Sequence, residues 1–143
     1  MLGFLHNKVF QFNGSVLGFE DFNEFLFTIA EENSQFGFLQ SVENENVGFL
    51  VANPFYFYSE YKFEIEEKTK HQLKLQSSEE VTVLAIMTVR EPFIKSTINL
   101  MAPLIINMTT GDGRQIILPP EYKHRTKEPL FHEEKAESGG SKC

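Results

Sequence analysis

The apolar residues of this chain fall into short runs, each broken after a few positions by glycine, proline, asparagine or charge, which is the spacing of strands and tight turns rather than of helices. Strands are predicted at 9–12, 25–29, 36–42 and 47–52. Asn13-Gly14-Ser15 makes a turn after the first, and Glu43-Asn44-Glu45-Asn46 closes a hairpin between the third and the fourth. Residues 61–66 alternate, with Tyr61, Phe63 and Ile65 on one face and Lys62, Glu64 and Glu66 on the other, which predicts a half-buried strand. Residues 81–89 are apolar on both faces in mid-run, as a central or barrel-lining strand requires. In 66–78 only Leu73 and Leu75 are apolar, a pattern compatible with a loop, a short helix or a weak strand.

The stretch 96–118 is the most informative. Two apolar runs joined by Gly111-Asp112-Gly113 predict an antiparallel hairpin, and Pro103, with no N–H for a ladder, places its run at an edge, a bulge or a strand start. An apolar edge flanked by Asn99 and Asn107 is a docking place for another chain; the plainer alternative is that these residues fill a core. The whole pattern predicts an all-β, antiparallel domain of about nine or ten short strands, its highly curved sheet forming a small, partly open β-barrel. That domain is expected over 1–127. Residues 128–143 carry little to bury and read as a disordered charged tail.

Composition narrows the function. The net charge of −7 is the wrong sign for gripping phosphate backbones, so no direct nucleic-acid binding is expected and a charged partner should be basic. The single cysteine, Cys143, forms neither a disulfide framework nor a thiolate metal site. No apolar run reaches membrane-spanning length and no leader pattern opens the chain, which together read as a cytoplasmic protein. The histidines His6, His71, His124 and His132 are isolated, with no metal-ligand spacing, and neither a nucleophile elbow nor a phosphate loop is present. No catalytic residue, metal or cofactor is therefore expected. The carboxylates concentrate at 20–24, 43–45 and 60–67, either as solvated faces or as a field that steers a basic partner.

Several motifs, in order and spacing, resemble the flagellar assembly factor FliW family. They are Leu17-Gly18-Phe19-Glu20, Phe38-Leu39-Gln40-Ser41-Val42, Val51-Ala52-Asn53-Pro54-Phe55-Tyr56-Phe57, and Thr97-x-Asn99-Leu100-x-Ala102-Pro103-Leu104-Ile105-Ile106-Asn107 with Arg114-Gln115-Ile116-Ile117-Leu118. The match closes on Tyr122-x-x-Arg125-x-x-x-Pro129-Leu130. Where the family usually has Gly-Ile-Pro-Gly-Phe, this chain has Gly14-Ser15-Val16-Leu17-Gly18-Phe19.

The resemblance implies a non-enzymatic regulator, monomeric when free, that binds the dimeric RNA-binding protein CsrA and relieves its repression of flagellin translation, with flagellin as competing partner. On motif position, the CsrA surface is expected at Asn99, Leu100, Met101, Pro103 and Ile105, with Glu64, Glu66 and Glu67 supplying charge; flagellin is expected at Asn53, Pro54 and Phe55. Two other readings stay open. Fifteen phenylalanines suit a small barrel holding an apolar ligand, and a flagellin-only chaperone would leave RNA binding by CsrA unchanged.

Overall fold

In the computed structural model, residues 2–29, 31 and 34–131 are described. They form one nine-stranded antiparallel sheet. Strands β1 (Val9–Gln11), β2 (Glu24–Thr28), β3 (Phe36–Ser41) and β4 (Gly48–Ala52) run as a meander, and β4 pairs β5 (Val81–Thr88) after two short helices, α1 (Pro54–Phe57) and α2 (Glu67–Gln72). Beyond β5 come β6 (Thr97–Ile98), β7 (Leu104–Asn107), β8 (Gly113–Gln115) and β9 (Glu128–Pro129).

The long β5 is where the sheet divides. Residues 81–84 pair β7, Ala85 and Ile86 pair β4, and Met87 and Thr88 pair β6, whose other neighbour is β9. Curvature then brings β1 back toward the β7–β8 turn, where Gln11 bridges Asp112 and donates its N–H to the Gly111 carbonyl at 2.8 Å. The sheet is thus strongly curved and drawn together by a single bridge, without a closing ladder. This is the partly open barrel that the pattern predicts.

Both faces of β5 are covered because two cores meet on it. Leu84 joins Phe10, Phe12, Phe25, Phe27, Leu39, Leu104 and Ile106 in the bore, while Ala85 and Met87 pack with Tyr61, Ile98, Leu100, Leu118 and Leu130 in a second cluster. Phe12 and Phe25 meet edge-on at 5.9 Å, one of several ring contacts that fill the bore. Room for so many rings comes from glycines. A Cβ on Gly37 would lie 2.2 Å from the Phe27 ring and one on Gly113 2.6 Å from Phe12, while on the outer face one on Gly48 would lie 2.5 Å from the exposed Phe38 ring.

Four expectations are corrected. Residues 61–66 do alternate between buried or half-buried and exposed positions but form no strand: the segment runs against side chains, with the Glu64 N–H donating to the Tyr122 hydroxyl at 3.0 Å, and meets no partner backbone in a ladder. Period two reports side-chain alternation, which an extended segment lying on a core shows without pairing. Second, of the three places open to Pro103 the strand start is the one taken, since Pro103 stands just before the first residue of β7, where no ladder N–H is needed; the edge is the reading corrected, because β5 and β8 flank β7. Third, the hairpin turn is longer than Gly111-Asp112-Gly113. Asn107 organises it, its Oδ1 accepting from Thr109 N at 2.8 Å and Thr110 N at 3.3 Å, and Gly113 already belongs to β8. Fourth, the body does not stop at residue 127: β9 pairs β6 and Leu130 is buried, since a two-residue ladder and one leucine complete the second core. The rest of the expected tail, 132–143, lies outside the described residues. The ambiguous stretch 66–78 contains α2, whose first turn carries Glu67 and whose last carries Lys70 and His71, as the helix dipole favours.

Candidate interaction surface

The residues from 53 to 67 leave β4 and cross the molecule without joining the sheet, and their course builds one wall of a broad surface groove. Asn53 ends β4 and caps α1. Its Oδ1 accepts from Phe55 N at 3.1 Å, its Nδ2 donates to Gln35 Oε1 at 3.0 Å, and Pro54 follows at the first helical position, where a missing N–H costs nothing. Pro54 is buried, and Phe55 is turned outward, 41% exposed, with its ring 5.6 Å from that of Tyr61. Tyr61 anchors the crossing by donating its hydroxyl to the Leu100 carbonyl at 2.7 Å; burial pushes this phenol well above its ordinary range, so it stays protonated as a donor.

The groove has a volume of about 980 Å³. Phe55, Phe63, Ile65, Val81, Val83 and Ile117 give it an apolar wall, and Glu64, Glu66 and Glu67 line it with charge. Glu67 is 84% exposed and pairs with Lys70 at 3.3 Å, a contact that solvent screens heavily. Among the described residues, Glu64 and Glu66 form no ion pair. An acidic, partly apolar groove of this kind receives a basic segment with an apolar face, since potential and shape then complement together.

The sequence-derived residues divide between this groove and the body beneath. Phe55, Glu64, Glu66 and Glu67 come together in it, although they were expected to face two different partners. Asn99, Leu100, Met101 and Pro103 lie in the connection from β6 to β7, and Ile105 is the second residue of β7. Asn99 Oδ1 accepts from Met101 N at 3.1 Å and Ala102 N at 3.0 Å, and the Met101 and Pro103 carbonyls accept from Leu118 N and Ile116 N. Leu100, Pro103 and Ile105 are buried and Met101 is half-buried. Ile105 faces Val83 across the ladder, so it backs the strand whose Val83 lines the groove.

Sequence reasoning missed Phe63, Ile117 and Tyr122 as groove residues. Ile117 carried a signal: three successive apolar residues, Ile116-Ile117-Leu118, end at Pro119-Pro120, and all three cannot point inward from an extended chain; Ile117 is 62% exposed. Among the described residues no cluster of histidine, cysteine or carboxylate has the makings of a metal site, and no helix is long and apolar enough to cross a membrane.

Comparison with known proteins gives a consistent result. The family model described as FliW protein matches residues 2–130. A flagellar assembly factor FliW of Oceanobacillus iheyensis is 43% identical over 111 residues, 78% of this chain and 76% of that protein. The one from Bacillus subtilis is 35% identical over 136 residues, covering 95% of this chain and 89% of the relative. A crystal structure of the flagellar assembly factor FliW superposes with a TM-score of 0.79 at 31% identity, covering 87% of this chain and 86% of that one.

Proposed function

The chain belongs to the FliW family of flagellar assembly factors, and from that premise we propose that it works by binding: it captures CsrA, relieves repression of flagellin translation, and is itself recaptured by flagellin. The observation that carries this reading is that Phe55, expected to face flagellin, lines the same groove as Glu64, Glu66 and Glu67, expected to face CsrA. Two partners that share one groove exclude each other, and mutual exclusion is what a partition switch needs.

In this reading Glu64, Glu66 and Glu67 meet the basic surface of CsrA, and the apolar wall adds buried area. Asn53 and Pro54 set the position of Phe55 for flagellin. Asn99, Leu100, Met101, Pro103 and Ile105 support the CsrA contact from below, with Met101 the one apolar side chain of the five that is only half-buried. The protein acts in the cytoplasm, without catalysis or cofactor, and is a monomer when free. The filled bore favours this account over an internal ligand.

Competition by calorimetry tests it. CsrA titrated into the protein should give a single-site isotherm that saturating flagellin abolishes, and Phe55→Ala should weaken flagellin by about tenfold or more. Formation of a ternary complex with both partners bound contradicts the shared groove.

A further inference from the structure

A second groove, of about 560 Å³, lies between α1, the segment after it and residues 124–128. Its walls are aromatic: Tyr56, Phe57, Tyr58, Tyr61 and His124, with Glu60 among them. The rings are held in mutual contact, Tyr56 edge-on to Phe57 at 5.0 Å and Tyr61 edge-on to His124 at 4.7 Å. Tyr56 stands 63% exposed, a large ring presented to solvent in a place where nothing in the core requires it. Glu60 is exposed and joins no ion pair among the described residues. Glu128, also in the wall, already holds a guanidinium, that of Arg125, whose Nη2 is 3.0 Å from Glu128 Oε1.

Ring faces carry negative charge density and attract a cation laid over them, and a free carboxylate beside them adds an ionic partner. A purely apolar occupant would leave the Glu60 carboxylate facing it without water, whereas the Tyr58 and Tyr61 hydroxyls already donate to the Pro129 and Leu100 carbonyls. An ammonium is compact and strongly hydrated, whereas a guanidinium is planar, weakly hydrated, stacks on rings and offers a fork to a carboxylate. We propose that this groove receives an arginine side chain from a partner protein, its guanidinium stacked on the exposed Tyr56 ring and its fork on Glu60. The site is separate from the acidic groove and does not depend on which partners that groove serves.

The chain supplies its own probe. It has no tryptophan and four tyrosines; three line this groove and the fourth, Tyr122, stacks on His124 with centroids 5.9 Å apart and planes 5° apart. Tyrosine fluorescence of the full chain therefore reports on this groove, and because Tyr122 also lines the acidic groove, the Glu64→Gln variant is needed to tell the two sites apart. The experiment titrates the protein with the capped tripeptide Gly-Arg-Gly and with its citrulline and lysine counterparts. The arginine peptide should give a saturating change, with the neutral citrulline isostere about tenfold weaker and the lysine peptide weaker than arginine. Glu60→Gln and Tyr56→Ala, both at exposed positions, should each weaken arginine binding about fivefold. Glu64→Gln, in the other groove, should leave it unchanged. The proposal is overturned if the citrulline or lysine peptide binds as tightly as arginine, if the Glu60 and Tyr56 variants bind like the parent, or if no saturating change appears.

Discussion

The division between contact and support is sharpest in single side chains. Glu66 is exposed, lines the acidic groove and bonds no core group, so Glu66→Lys should weaken CsrA by about tenfold while leaving the melting temperature in place; calorimetry and a thermal melt read the two effects separately. Tyr61 is the opposite case. Tyr61→Phe removes the donor to the buried Leu100 carbonyl and should cost about 1–3 kcal/mol in denaturant unfolding, because the orphaned acceptor stays out of water. Gly37→Ala should also destabilise by about 1–3 kcal/mol, since a Cβ 2.2 Å from the Phe27 ring forces that ring or the strand to move. Of these three, the sequence made only the charge of Glu66 legible. The role of Gly37 depends on a ring from a neighbouring strand, and that of Tyr61 on a carbonyl 39 residues away, neither of which local pattern encodes.

At the scale of elements, the meander β1–β4 and the doubly buried β5 could be read from period and punctuation because each is a run of local signals: Asn13-Gly14 with both φ positive, the polar 43–46 turn, apolar residues on both faces of 81–88. The misreadings share one cause. Alternation at 61–66 and an interrupting Pro103 describe which side chains are buried, and say nothing of which backbone, if any, lies alongside. Hence an extended crossing passed for a strand, and an edge stayed open for 96–107 beside the strand start and core filling that the structure shows. The short helix α1 rests on its cap, so Asn53→Ala should lower stability by about 0.5–2 kcal/mol and also weaken flagellin by shifting Phe55; Asn53→Asp, which keeps the acceptor at the cap, should restore most of the stability.

Across the whole molecule, curvature gathers what the sequence spreads out. Phe55, the glutamates at 64, 66 and 67, and Ile117 reach one groove because the crossing segment and the strand exit after β8 lie on the same side of β5. That convergence was not legible in sequence, where Phe55 and the glutamates read as two sites for two partners and Ile117 as part of neither. The net charge of −7 acts at this scale too: association with a basic partner should slow as salt rises past physiological strength, in stopped-flow traces, with dissociation changing much less. The partition switch itself is tested most directly by titrating the protein into a complex of CsrA with fluorescent flagellin-message RNA, then adding flagellin, and following anisotropy. The account requires RNA release by the protein and its reversal by flagellin. Unchanged anisotropy on the first addition, or release that flagellin fails to reverse, would contradict it.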